Sequence, residues 1–404
     1  MESIVKKHFP KQSTMLLPLL QMIDNAGGVA KPGELYDQMA AHFHLESHIR
    51  DATVKASTRE ARAWDRHVRW TRQTAVMRRL IDAEQRGVWG LTSKARTRLK
   101  EIVRGKIITV FETDAGIVLW ANAEDAMGAI ERSSVDLLWT SPPYPLQRPK
   151  EYGNLDEREW VDWMLRLCEG WQALLSPTGS MMLNLGPCWI ADRPQQSLYV
   201  ERLLIQLEDQ LGLHLLQRLD WFNPNRLPGP MEWVCIRRVR VKAAVQPILW
   251  LSPDPLAAKA NNRHVLQPYT ESGRRAIARS TQQNRRPSGF QFGARSFVDV
   301  GGSIPPSLII ASNCSSNDAY QRAERAAGRN PHPATAPEAI VDFGVRLATD
   351  EGDLVYDPLA GSCVTGIVAQ RLRRRFICND RSRTFIESGR LRFESAGFRT
   401  RLFA

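Results

Sequence analysis

The sharpest chemical signal in the chain is five consecutive residues, Thr140-Ser141-Pro142-Pro143-Tyr144. They close the apolar run Val135-Asp136-Leu137-Leu138-Trp139, which reads as a buried strand. Open α/β sheets place their ligands at the carboxyl ends of strands, and the motif falls there. Ser141 and the Pro142 carbonyl offer two acceptors in succession, the prolines stiffen the turn, and Tyr144 supplies a flat aromatic face. That set suits a planar exocyclic amine. Such an amine is a poor nucleophile because its lone pair is conjugated into the ring. Two acceptors on its N–H bonds pyramidalise it and localise the pair toward an electrophile. Tyr144 can stack on a base turned out of a duplex. The bland alternative is a proline-rich turn after a strand.

A second constellation, Asp357-Pro358-Leu359-Ala360-Gly361-Ser362-Cys363-Val364-Thr365-Gly366, follows the apolar run Asp353 to Tyr356. A tight turn at Gly361 and a polar rim let a nucleoside-bearing cofactor approach the backbone. Gly-containing strand-to-helix loops serve many nucleotides, but this one lacks the Walker pattern, which counts against ATP or GTP. Asp380 lies fifteen residues after Thr365 and ends the strand-like run Arg375 to Asn379. A carboxylate placed there can take both hydroxyls of a ribose.

The elements that position these residues alternate. Ile107 to Phe111, Gly116 to Trp120 and Met181 to Leu185 read as further strands, and Asp156 to Leu175 as a helix, with Pro177-Thr178-Gly179 as a turn. The expected fold class is α/β, a doubly wound sheet over residues 105–404. Between Gln217 and Asp299 the pattern loosens, with 14 Lys/Arg against 5 Asp/Glu. A long basic insertion of that kind is expected to read a target, with Arg237, Arg238 and Arg240 in a strand-like stretch and Arg285 and Arg286 in a turn before Pro287.

Residues 1–104 form a separate helical module. Leu16, Leu17, Leu19, Leu20 and Ile23 give one helical stripe, and Pro32 to Phe43 a second helix. Val68, Trp70, Ala75, Val76, Leu80 and Ile81 give a third pattern, followed by Gly87-Val88-Trp89-Gly90-Leu91-Thr92. Three helices and a short strand pair are the order of a winged helix. From Arg50 to Lys106 there are 16 Lys/Arg against 6 Asp/Glu. That face suits auxiliary DNA contact by counterion release, with dimerisation as the alternative.

The whole chain of 404 residues carries a formal charge of +12, which favours a polyanionic partner. Its six cysteines form no C-x-x-C pair, so neither zinc nor disulfides are expected, and a reducing cytosol is the expected compartment. No stretch has the length and apolarity of a membrane span, and Met1 to Pro10 lacks a signal-peptide core.

With these motifs in place, the chain resembles the β-class amino-methyltransferases of DNA restriction-modification systems, nearest to the PvuII-type cytosine-N4 enzymes. The likeness rests on Thr140 to Pro145, Lys150 to Asn154, Trp221 to Pro224, Glu232 to Val234, Arg286 to Gly289, Gly301 to Pro306 and His332 to Ala334. The N-terminal residues Leu17 to Leu20, Trp70 and Gly87 to Thr92 resemble the winged-helix module of Mrr-type restriction proteins. The resemblance implies S-adenosyl-L-methionine as cofactor and double-stranded DNA as substrate. It implies base flipping, possible homodimers and a cognate endonuclease as partner. It places the target amine at Ser141, Pro142, Pro143 and Tyr144, and the cofactor at Asp357, Gly361, Ser362, Thr365 and Asp380, with Pro333 near its methionine end. Asn122 stands where many relatives carry an aspartate and is expected to reach the adenine. Cys363 replaces a glycine, and its β-carbon is expected to crowd the cofactor. Ser141 at the head of the motif favours cytosine N4. The alternatives are adenine N6, and a DNA-binding regulator with a vestigial methyltransferase domain.

Overall fold

The computed structural model describes residues 9–10, 12–43, 45–56, 59–82, 87–99, 105–145, 156–278, 284–285, 291–292, 299–313, 319–326 and 335–403. It divides into two compact units, Met1–Glu101 and Ile102–Ala404.

In the larger unit, ten strands form one sheet. We number them β1 (Ile107–Glu112), β2 (Gly116–Ala121), β3 (Val135–Thr140), β4 (Leu175–Asn184), β5 (His214–Phe222), β6 (Val245–Ser252), β7 (Leu308–Ile310), β8 (Leu354–Asp357), β9 (Arg375–Asp380) and β10 (Arg401–Leu402). Their spatial order is β7-β5-β6-β4-β3-β8-β9-β2-β1-β10. The five central strands β4, β3, β8, β9 and β2 are parallel, and β6 runs antiparallel between β4 and β5. The expected doubly wound α/β sheet is present.

Both faces of that sheet are covered, which is why its strands read as nearly unbroken apolar runs. On one face Trp139, Met182 and Val355 pack with Ile340, Val341 and Val345 of helix α3 (Glu338–Ala348) and with Ile367 of α4 (Val364–Arg371). On the other, Leu138, Met181 and Tyr356 meet Trp160, Met164 and Trp171 of α1 (Glu157–Gln172) and Tyr199 and Leu203 of α2 (Tyr199–Leu211). Asp156 caps α1, accepting from the backbone of Arg158 and Glu159 while Glu159 reaches back, so the chain turns sharply into the helix. From β3 the chain passes through α1 to β4, and from β8 through α4 to β9. The connections of the neighbours β3 and β8 therefore depart in opposite directions, which makes the crevice between their carboxyl ends the switch point of the sheet.

Two expectations change here. The region 217–299 is no continuous insertion, because Gln217–Phe222 lies in β5 and Val245–Ser252 is β6, both paired in the central sheet. Its irregular parts lie after β5 and after β6. Pro177-Thr178-Gly179 is absorbed in β4 at an irregular register, since Val135 pairs with Leu175 but Leu137 with Ser180.

The smaller unit contains the helices Gln12–Asn25, Pro32–His42 and Ala63–Met77, with a hairpin (Thr53–Ala56, Arg59–Arg62) before the third. Val29–Ala30 pairs with Trp89–Gly90, and Ile81 bridges to Leu91. Met15, Leu19, Ile23, Leu35, Met39, Trp64, Val68 and Leu80 make its core. Trp70 does not join them: the buried face of its helix is Ala63, Trp64, Val68, Thr71 and Ala75, and Trp70 is 54% exposed on the opposite side.

Candidate active site at the carboxyl ends of the central strands

Ser141 to Tyr144 leave β3 directly at the switch point. The Ser141 hydroxyl donates to the backbone carbonyl of Asn184 at the end of β4 (3.2 Å). Tyr144 Oη lies 3.4 Å from Ser141 Oγ and donates to Gln246 Oε1 on β6 at 3.3 Å. Two hydroxyl protons thus serve three long contacts, and Ser141 Oγ keeps acceptor capacity for an arriving N–H donor. Catalytic hydrogen bonds are often long before the substrate tightens them. The Tyr144 ring lies against Gly186, where a β-carbon would sit 2.4 Å from it, so only glycine lets the ring occupy this place. Trp160 Nε1 donates to the Pro143 carbonyl, and Tyr199 Oη to the Gly186 carbonyl, fixing the loop from the α1–α2 face. Burial pushes the Tyr144 phenol above its usual pKa, so it remains a neutral hydroxyl.

The second loop is tied to the first by one buried carboxylate. Asp357 accepts from Thr140 Oγ1 (2.8 Å), from Thr365 Oγ1 (2.5 Å) and from the Leu359 backbone (3.1 Å). Desolvation raises its pKa to about 6, against the lowering effect of these three donors. Asp357, Ser362 and Thr365 are all buried, so they shape the loop from within. Gly361 and Cys363 both take positive φ (50° and 56°), which is the physical reason a glycine suits the cysteine's position. The Cys363 side chain points into the protein. It is fully buried and turned toward Gly389 of α5 (Arg383–Ser395), where a β-carbon would meet its sulfur at 2.7 Å.

Asp380 ends β9 and accepts from the Gly361 backbone (2.9 Å) and the Ser382 backbone (2.8 Å). Asn122 follows β2 directly, and its Nδ2 donates to Asp125 (3.1 Å). Gly361, Asp380 and Asn122 thus stand at the carboxyl ends of three successive strands, β8, β9 and β2. Neighbouring strands are about 4.8 Å apart, so the row has the span of a nucleoside. A half-exposed carboxylate in the middle of it fits a ribose. Pro333 and Arg286 lie outside the described residues.

Arg237, Arg238 and Arg240, expected in a strand-like stretch, are not in a strand. Glu232–Ile236 is a π-helical turn, closed by Arg237 N to Glu232 O (2.8 Å), and Arg238 follows at φ 56°. Arg237 pairs with Glu232 (2.7 Å) and lies over Trp233, while Arg240 stacks on Trp189 at 3.7 Å. Both are engaged within the protein; Arg238 is exposed, and Arg285 lies in a two-residue strand paired with Gln291–Phe292.

Several site residues gave little warning in the sequence. Gln246 is a buried amide in an apolar strand, and Gly186 is one glycine among 26. Arg392, 5% exposed on α5, donates to Ser362 O (3.1 Å) and Ser362 Oγ (3.3 Å), pairs with Glu338 and lies over Tyr320. It braces the Gly361 loop from behind.

A doubly wound sheet whose Gly361 loop and Ser-Pro-Pro-Tyr loop meet at the switch point has the architecture of the methyltransferase class. The chain belongs to the DNA methylase family, which it matches over residues 135–390, and it is a DNA methyltransferase of the N6/N4 type. Residues 13–101 match the Mrr N-terminal domain. The chain is 35% identical to the type II methyltransferase M.PvuII of Proteus hauseri, over 70% of its own length and 85% of that protein's. It is 24% identical to the type II methyltransferase M.HpaI of Haemophilus parainfluenzae, over 69% and 74% of the two chains. The solved structure of the cytosine-N4-specific PvuII DNA methyltransferase superposes with a TM-score of 0.58 at 31% identity, covering 71% of this chain and 90% of that one.

Proposed function

We propose that the protein methylates the exocyclic N4 of a cytosine turned out of double-stranded DNA, using S-adenosyl-L-methionine. The observation that carries this reading is the joining of the Ser141 and Gly361 loops through Asp357 at the ends of paired strands. Ser141 at the head of its motif, and the likeness to an enzyme described as cytosine-N4-specific, support cytosine.

Bound along Gly361, Asp380 and Asn122, the cofactor supplies a methyl carbon on a sulfonium centre. Asp380 holds the ribose, and the Gly361 backbone allows the close approach. Ser141 Oγ and the Pro142 carbonyl accept the two N–H bonds of the amine and turn its lone pair toward that carbon. Positive charge would grow on the amine as its bond to the methyl carbon formed and the methyl–sulfonium bond broke to leave a neutral thioether, so both acceptors would strengthen in the transition state and lower the barrier. Tyr144 stacks on the base and stays neutral. The leaving proton starts from the amine at Ser141 Oγ and passes to solvent.

The smaller unit contacts the same DNA. Arg66, Trp70, Gln73 and Met77 lie exposed at helical spacing on Ala63–Met77, a strip suited to a nucleic-acid groove. A cytosolic modification enzyme paired with a nuclease of the same specificity is the biological setting that fits.

The test is incubation with unmethylated plasmid DNA and isotopically labelled cofactor, followed by mass spectrometry of the nucleosides. N4-methyldeoxycytidine is expected. N6-methyldeoxyadenosine alone, or no methylated nucleoside, would refute the reading.

A further inference from the structure

We infer that Leu227 is the wedge that enters the duplex as the target base leaves, and that Arg226 beside it clamps the backbone phosphate of the flipped nucleotide. The inference rests on the base-flipping reading above and assigns the residues that drive it.

Topology puts this pair beside the catalytic loop. β5 and β6 pair with Trp221 opposite Gln246 and Phe222 opposite Val245, so the excursion 223–244 rises from the edge where β3 and β4 end. Gln246 is the residue that holds the Tyr144 hydroxyl. Arg226 lies near enough for its charge to act on both Tyr144 and Cys188. The next residue, Leu227, is 83% exposed, and Met231 is 60% exposed. A large apolar side chain uncovered beside the Ser141–Tyr144 loop calls for an occupant.

Charge selects the occupant. The excursion carries Arg226, Arg237, Arg238, Arg240 and Lys242 against Glu232 alone. An apolar tip among cations suits a polyanion with apolar bases inside it, and apolar wedges of this type are a recurring way to unstack a base step.

The support is rigid, as a wedge requires. Asn223 is buried, and its backbone donates to Ala244 O (2.8 Å). Its side chain accepts from Asn225 N (3.1 Å), its carbonyl from Arg226 N (3.2 Å), and Asn225 Nδ2 donates to Ser312 (2.8 Å). Lys242 Nζ latches the far end to the Pro224 carbonyl at 3.0 Å. Pro224, Pro228 and Pro230 restrict φ along the same stretch. Arg240 on Trp189 ties the excursion to the loop after β4.

The test uses the full chain and a duplex containing its own methylation site, mapped by sequencing its product. Fluorescence is read from 2-aminopurine at the target, and single-turnover methylation is measured with the target base matched or mismatched. Leu227→Ala is expected to lower brightening and the matched-duplex rate by about 10–100-fold, since unstacking costs a few kcal/mol per step. On the mismatched duplex, where the base is already loose, its rate should return to within about threefold of wild type, and cofactor binding should be unchanged. Leu227→Phe should retain flipping. Arg226→Ala should weaken binding on all sequences alike and reduce the salt slope by about one. Equal rate losses for Leu227→Ala on both duplexes, or none on either, would overturn the inference. So would sedimentation showing that Leu227→Ala dissolves a dimer while flipping proceeds normally. A wild-type protein that neither brightens the probe nor methylates cytosine would instead refute the underlying reading.

Discussion

Replacing Asp357 with asparagine should change how stability depends on pH. Asp357 bridges the two functional loops, and its pKa rises from 3.8 to about 6 because burial outweighs the donors around it. A carboxyl whose folded pKa is raised binds its proton more tightly when folded. Its contribution is therefore fully present below the unfolded value and is lost as pH rises through about 6. With 1.36 kcal/mol per pH unit, the whole effect is about 3 kcal/mol, of which roughly half is present at pH 5 and almost none at pH 8. Asparagine has no such titration, so other groups cancel in the difference between the two proteins. Denaturant unfolding of wild type and Asp357→Asn at pH 5 and pH 8 should show wild type gaining about 1–2 kcal/mol on the variant at the lower pH. Parallel pH dependences would mean that the carboxylate is solvated or titrates normally, and the bridging role would fall. Protonation also turns one acceptor of the Thr140–Thr365 pair into a donor, so methyl transfer should decline below about pH 6 before the fold is lost.

Asp380→Ala should weaken cofactor binding by at least tenfold in calorimetry, because it removes charge-assisted bonds of about 1.5–3 kcal/mol and also releases Gly361 and Ser382. Unchanged affinity would remove Asp380 from the cofactor site. Arg238→Ala should relax the methylated motif at one position, whereas Arg237→Ala and Arg240→Ala should mainly lower stability, since those two stack on Trp233 and Trp189. Methylome sequencing that shows relaxation for all three, or for none, would contradict this division. Arg66→Ala in the smaller unit should reduce the salt slope of DNA binding by about one without altering cofactor affinity. An identical slope would favour dimerisation as that unit's role.

The two candidate site loops were legible because their signals are local. An apolar run that ends in Ser-Pro-Pro-Tyr, and another that ends in Asp-Pro followed by Gly361, announce strand, turn and chemistry within ten residues. Groups that converge from elements distant in sequence were not. Gln246 reaches Tyr144 across 102 residues, and Arg392 reaches Ser362 across 30. Nothing near either one marks the contact. Arg237, Arg238 and Arg240 read as part of a strand-like stretch, yet Trp233, Val234 and Ile236 form a π turn closed by bonds to Glu232 and Trp233. Trp70 looked like core by its type, but the register of Ala63–Met77 turns it outward. At Cys363 the family pattern suggested crowding, while the left-handed backbone sends the side chain inward to Gly389.

The most direct test of the account is methyl transfer by Ser141→Ala under single-turnover conditions, with cofactor affinity measured on the same preparation. In the proposed mechanism Ser141, which directly follows β3, presents its hydroxyl oxygen to the target amine as a preorganised acceptor. Its loss should slow N4 methylation by about 10²–10³-fold while leaving cofactor binding nearly intact. Transfer to cytosine N4 at the wild-type rate would show that the amine is held elsewhere, and the assignment of the active site would fail.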